Sequence, residues 1–173
     1  MRVTEATLQA VIMRWCMSVK HHEYVIPNSN TFINYSSETD LISVTKSGLV
    51  HEYEMKISKN DYNRDAKKSK FAWGYLGNLN YAPAYFWYVT YGFDIIPPEK
   101  AGWIDVFYNE KRFMWDMTVK KDAPQLNKLK MGDEKAIVAA RLLSWRISNM
   151  FGALYTQGLR DKPEKSRLKA TEI

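Results

Sequence analysis

The chain holds 173 residues, 46% hydrophobic, 14% aromatic and 25% charged, which suits one ordinary domain with a real core and excludes a largely disordered or low-complexity protein. No apolar run approaches the roughly 18 residues that cross a bilayer, and the opening MRVTEATLQAVIMRW carries an early acid and no small-residue cleavage site, so a cytoplasmic protein without signal peptide or membrane span is expected. The net charge of +6, from 25 basic and 19 acidic residues, hints at an anionic partner.

In chain order, residues 4–21 predict an amphipathic helix with Thr4 as N-cap and Leu8, Val11, Ile12, Trp15, Cys16 and Val19 at helical spacing. Tyr24, Val25 and Ile26 predict a short strand stopped by Pro27 and the turn-forming Asn28-Ser29-Asn30. A second strand is expected over 40–45 and its hairpin partner over 49–57, joined at Lys46-Ser47-Gly48. The partner alternates clearly: His51, Tyr53, Met55 and Ile57 share one face, and Glu52, Glu54 and Lys56 the other. Ser58 caps a helix expected over 59–72, and the Gly/Asn-rich stretch 72–83 reads as a loop. The aromatic run 84–90 suits a strand covered on both faces. Two more strands are expected over 102–107 and 113–119, with a turn at Asn109-Glu110, and a last helix over 134–151 capped by Asp133, with Ile137, Ala140, Leu143, Ile147 and Met150 on one side. The sum is a single α/β domain over 1–158, a mixed sheet flanked by helices, with 159–173 as a flexible basic tail.

Charge is segregated along the chain. From Glu23 to Glu54 there are five acids (Glu23, Glu38, Asp40, Glu52, Glu54) and one base, Lys46. Two basic stretches follow, one with Lys56, Lys59, Arg64, Lys67, Lys68 and Lys70, the other with Lys111, Arg112, Lys120, Lys121, Lys128 and Lys130. Cys16 is the single cysteine, so a disulfide framework and a thiolate zinc site are excluded; with only His21, His22 and His51 as histidines, any metal is expected to be a hard cation on carboxylates.

The hairpin is where chemistry concentrates. Glu54 and Lys56, two apart, share a strand face, and the turn brings Asp40 opposite the neighbourhood of Glu54. Two carboxylates held together repel, and a divalent cation relieves that repulsion. A lysine beside such a cation can orient a water or stabilise charge developing on a phosphate. These are the needs of metal-assisted phosphodiester hydrolysis, with a basic helix next door to hold the phosphate backbone.

Asp40 followed by Glu54-x-Lys56 on the second strand of a hairpin, after an N-terminal helix, resembles the PD-(D/E)xK nuclease superfamily. The stretch Glu38 to Thr45, the stretch Val50 to Ser58, and the later Tyr85-Phe86-Trp87-Tyr88-Val89 and Lys121-Asp122-Ala123-Pro124 are more specifically similar to its MmcB-like branch of bacterial and phage proteins. The resemblance spans about residues 4–150, with motif detail over 38–70, and Thr39 stands where the family pattern has proline. It implies a restriction-endonuclease-like fold and an Mg2+- or Mn2+-dependent deoxyribonuclease, in the cytoplasm of a bacterium or of a phage's host, serving repair, recombination or phage DNA metabolism. It makes Asp40 and Glu54 metal ligands, Lys56 the catalytic lysine, and Glu5 an acid of the first helix that completes the site. Glu38 and Glu52 are additional candidate acids, and Lys59, Arg64, Lys67, Lys68 and Lys70 are candidate phosphate contacts.

Plainer readings stand beside these. Glu52, Glu54 and Lys56 can form a solvated strand face with cross-strand ion pairs, each contributing about 0.2–1 kcal/mol. Glu38 suits a solvated loop. His21 and His22 suit the end of a helix, where cations complement the dipole, and His51, opposite Glu54, suits the core or an edge. The Tyr85–Tyr88 run can stack bases but fits a packed strand better, and Cys16 on the apolar helix face is expected to be inert. The rival functions are a catalytically inactive nucleic-acid-binding module and a protein-interaction factor in a repair or replication complex; a homodimer stays open.

Overall fold

The structure, a computed structural model, describes residues 3–29, 39–65, 82–128 and 130–160. The order is α1 (Glu5–Ser18), β1 (Tyr24–Ser29), β2 (Thr39–Val44), β3 (Val50–Lys56), α2 (Lys59–Asp65), β4 (Tyr85–Tyr91), β5 (Gly102–Asn109), β6 (Met114–Lys121) and α3 (Asp133–Arg160). The strands form one mixed sheet in sequence order, β1 to β6. The β1–β2, β2–β3 and β5–β6 pairs are antiparallel, and β3–β4 and β4–β5 are parallel. The fold is therefore α/β with a six-stranded mixed sheet. The chain forms two compact units, 1–135 and 136–173; the first holds the sheet, α1 and α2, and α3 belongs to the second from Ala136 onward. The boundary expected at 158 falls within α3. The tail expected over 159–173 lies outside the described residues from 161 onward.

The elements arise for the anticipated reasons, with instructive shifts. Thr4 caps α1 in a reciprocal box: the Thr7 N–H donates to Thr4 Oγ1 (3.4 Å) and the Thr4 N–H to Thr7 Oγ1 (3.3 Å). The helix ends at Ser18 rather than 21, since the Val19 and Lys20 N–H groups both turn back to Trp15 O (3.0 Å each) and His21 takes a positive φ of 52°. The two histidines follow the helix end, where the His22 N–H donates to Cys16 O (2.9 Å). Pro27 does not stop β1, which continues to Ser29; as an edge strand it tolerates a residue with no N–H to donate. The β2–β3 turn closes as expected, the Gly48 N–H donating to Thr45 O (2.9 Å) with Gly48 at φ 85°, a conformation open to glycine. The Ser58 side chain accepts from the Asp61 N–H (3.2 Å) at the start of α2. Residues 66–81 are not among the described residues, and with them lie the rest of that expected helix and most of the expected loop.

Each sheet face has its own apolar cluster. On one, Leu8, Val11, Ile12 and Cys16 of α1 pack on Val25, Leu41, Tyr53, Met55, Trp87, Val89, Ile104 and Val106. On the other, Phe86, Tyr88, Ala82, Ile95 and Ala101 pack with Tyr62 of α2, Trp103 and Leu126. The alternation of β3 sorts its side chains accordingly: Tyr53 and Met55 face α1, and Glu52, Glu54 and Lys56 face the side of α2. The aromatic run of β4 is divided by the same rule, with Trp87 on the first face and Phe86 and Tyr88 on the second.

Candidate active site

The β2–β3 register sets Leu41 opposite Tyr53 and Ile42 opposite Glu52, so that its continuation puts Asp40 opposite Glu54. At that end of the hairpin the Met55 N–H donates to Asp40 Oδ2 (2.7 Å), while the Gln9 side chain of α1 donates to Asp40 O (2.9 Å) and to Asn28 Oδ1 (2.7 Å). These bonds pin the start of β2 to α1, β1 and β3 together. Beside it, Lys56 Nζ lies 2.9 Å from Glu54 Oε1 and 3.0 Å from Asp65 Oδ2, with Asp61 Oδ2 at 3.6 Å.

Burial decides between the two readings of this strand face. Glu52 is 0% exposed, Glu54 3%, Lys56 2% and Asp65 1%. A solvated surface with weak cross-strand pairs is thereby overturned. Charges withdrawn from water to this degree cost several kcal/mol each before their partners offset it. Fully buried Glu52 sits beneath Glu54, opposite Phe86 of β4 and Ile42 of β2.

The local field is strongly negative. The Asp40 carboxyl is pushed up to about 6, first by burial, then by the charge of Glu54, and more weakly by Glu5; the Met55 N–H and Lys56 pull the other way. The Tyr88 hydroxyl, on β4 directly beside Glu54, is raised by burial and then by Asp65, Tyr62, Glu54 and Glu52. The Lys56 ammonium lies within 4.0 Å of three carboxylates, Glu54, Asp61 and Asp65, and its charge also reaches Asp40. Among the described residues no group of three or more His, Cys, Asp and Glu is arranged to hold a metal ion. The oxygens of Asp40 and Glu54 nevertheless fit a small hard cation, since Mg2+ is bound through one or two carboxylates and retains most of its waters. The repulsion between Asp40 and Glu54 favours such an ion.

A direct consequence concerns Asp40. Its folded-state pKa is raised above the unfolded value of 3.8 to about 6, so its ionisation costs stability progressively as the pH rises between those values and the full penalty stands above them. Asp40→Asn keeps an acceptor for the Met55 N–H and removes the charge facing Glu54. We expect the metal-free variant to be about 1–3 kcal/mol more stable than the wild type at pH 7.5 in urea denaturation with chelator present. Any rise in melting temperature on adding Mn2+ should vanish with it. A variant less stable than the wild type would show that the repulsion is not felt.

The remaining candidates divide. Glu5 is exposed in the first turn of α1 and acts on Asp40 through its charge. Lys59 and Arg64 are exposed on α2. Glu38, Lys67, Lys68 and Lys70 lie outside the described residues. Part of the second basic stretch is engaged locally: Lys121 Nζ donates to Pro98 O (2.7 Å) and Glu99 O (3.1 Å), Arg112 pairs with Asp116 (3.3 Å), and Lys120 lies over the Trp103 ring (5.9 Å to the centroid). Cys16 is buried with its thiol pushed up by burial, in keeping with an inert role.

Sequence reasoning missed Asp61 and Asp65. The signal was present: the two are four apart in a helix that begins three residues after Lys56, and that spacing aligns them on one helix face. Reading 56–70 as a basic cluster set two acids aside against six bases.

No family model matches the chain, and no curated protein matches it. Among solved structures it is similar to the SPO1766 protein of unknown function from Silicibacter pomeroyi, at 14% sequence identity and a TM-score of 0.59, over 95% of this chain and 99% of that one. At that identity the likeness concerns the fold alone. Among the described residues no helix is long and apolar enough to cross a membrane.

Proposed function

We propose that this protein is an Mg2+- or Mn2+-dependent nuclease of the PD-(D/E)xK superfamily, restriction-endonuclease-like in fold and akin to its MmcB-like branch, that hydrolyses phosphodiester bonds in DNA. The observation that carries the reading is the buried Glu54–Lys56 pair beside half-buried Asp40: Lys56 Nζ stands 2.9 Å from Glu54 Oε1, and the hairpin register aligns Asp40 with Glu54. The order helix, three-strand antiparallel meander, helix, parallel strand supports the same fold assignment.

In this reading Asp40 and Glu54 hold the ion, and Glu5 adds negative charge beside Asp40. When bound, the ion supplies Lewis acidity toward water and a phosphoryl oxygen. Lys56 donates hydrogen bonds to the attacking water or to the phosphate oxygen on which charge develops, from a site already stripped of bulk solvent. Lys59 and Arg64, with Lys67, Lys68 and Lys70 further along, bind backbone phosphates without reading sequence.

The test is cleavage of supercoiled, linear, single-stranded and branched DNA, and of RNA, with Mg2+, Mn2+ or chelator. Metal-dependent cutting by the wild type, absent in folded Asp40→Ala and Lys56→Ala, is the expected result. Binding of the same DNA without cutting turns the assignment to an inactive nucleic-acid-binding module. Neither binding nor cutting turns it to a protein-interaction factor.

A further inference from the structure

The buried ammonium of Lys56 poses a problem of charge. Its nearest acceptor is Glu54 Oε1 at 2.9 Å, and a lysine neutralised by Glu54 alone would cancel the charge of a carboxylate needed for a divalent ion. Asp65 answers it. Asp65 is 1% exposed, its Oδ2 lies 3.0 Å from the same Nζ, and Asp61 stands behind at 3.6 Å with about a third of its side chain exposed. Only Ile57 and Ser58 separate the end of β3 from the start of α2, so the lysine and its second acceptor belong to one short strand–helix unit.

We propose that Asp65 is a positioning residue for Lys56, holding its ammonium on the α2 side beside the Asp40 and Glu54 oxygens that would take a divalent cation. The inference rests on the nuclease reading for the identity of the ion, and on geometry alone for the hold on Lys56. Asp65 acts through Lys56 and need not touch ion or substrate. Removal of an outer partner of this kind characteristically weakens metal affinity or activity 10- to 100-fold.

The experiment is a double-mutant cycle on the full-length protein, with Mn2+ affinity measured by calorimetry without nucleic acid. Asp65→Asn preserves shape and removes the charge, and Asp65→Glu serves as the conservative rescue. We expect Asp65→Asn to weaken Mn2+ binding roughly 10- to 100-fold and Asp65→Glu to restore most of it. In a Lys56→Met background, Asp65→Asn should change affinity less than about twofold, because the ammonium it holds is gone. Equal weakening in both backgrounds, or none in either, overturns the proposal. A second readout is the slowly exchanging 15Nζ signal of the buried Lys56 ammonium in NMR, expected in the wild type and lost in Asp65→Asn; its retention also overturns the proposal. Failure of the wild type to bind Mn2+ removes the metal reading instead, and the NMR signal then tests the hold of Asp65 by itself.

Discussion

Lys56→Met is expected to reduce metal-dependent DNA cleavage by about 100- to 1,000-fold, the loss that follows removal of one preorganised donor to a developing charge. It should also lower stability by about 3–5 kcal/mol, the usual penalty when one member of a buried charge network is deleted. Both effects have one origin. Lys56 is 2% exposed and its ammonium faces Glu54 and Asp65, themselves 3% and 1% exposed. Methionine fills similar volume, so little of the loss comes from packing; what remains is two carboxylates without their shared cation in a site that excludes water. The two losses can be separated. The triple variant Lys56→Met, Glu54→Gln, Asp65→Asn removes the stranded charges and should recover most of the stability while recovering no activity. Urea denaturation in chelator and cleavage of a labelled duplex in Mg2+ provide the measurements. A Lys56→Met protein as stable as the wild type would mean that the ion cluster contributes nothing net to folding, and one that cuts at wild-type rate would remove Lys56 from the proposed chemistry.

Much of the fold was legible because local signals agreed with one another. Thr4 before an apolar helical period, Lys46-Ser47-Gly48 between two alternating runs, and the unbroken aromatic stretch 84–90 each point to one structure, and each formed. The adjacency of Asp40 and Glu54 was readable from the tight turn, with the register open by a residue or two; the pairing of Leu41 with Tyr53 and Ile42 with Glu52 fixes it. What could not be read was depth. Alternation says that Glu52, Glu54 and Lys56 share a face, but an isolated hairpin leaves that face in water. In the folded chain β3 pairs with β4, which starts 29 residues beyond it at Tyr85, α2 follows β3 directly, and that face is buried. The same limit hid Asp65, whose significance depends on the packing of α2 over Lys56. The ends of α1 and β1 were missed for a smaller reason: tertiary partners, Ser43 for His22 (2.6 Å) and β2 for the residues beyond Pro27, outweighed local propensity.

The histidines define the second large effect. The protein should lose stability on acidification from pH 6.5 downward, by about 2 kcal/mol at pH 5 and up to about 5 kcal/mol near pH 3 from His51 alone. His51 is stacked on Tyr85 (4.3 Å between ring centroids), its Nδ1 accepts a hydrogen bond from Trp87 Nε1 (3.2 Å), and the His22 ring lies 4.8 Å away. Burial, then His22, then Lys20 push its pKa down from 6.5 to about 3. A base whose pKa is depressed on folding binds its proton more readily when unfolded, so between pH 6.5 and about 3 the unfolded state takes up the extra proton and stability rises with pH. The pKa of His22 is lowered by burial and by Lys20, so its effect has the same sign. Asp40 opposes them: its pKa is raised to about 6, and its protonation favours the folded state as the pH falls. The measurement is therefore best made on Asp40→Asn, which removes that opposing contribution, with and without His51→Gln. Glutamine offers Trp87 an acceptor but does not titrate. Urea denaturation at pH 7.5, 6.5, 5.5 and 5.0 should give a steep fall for the parent and a markedly flatter one for His51→Gln; parallel curves would assign the acid sensitivity elsewhere. Because His51 projects from β3 on the face opposite Glu54 and Lys56, a loss of cleavage at low pH that persists in His51→Gln would have to originate in the carboxylates of the site.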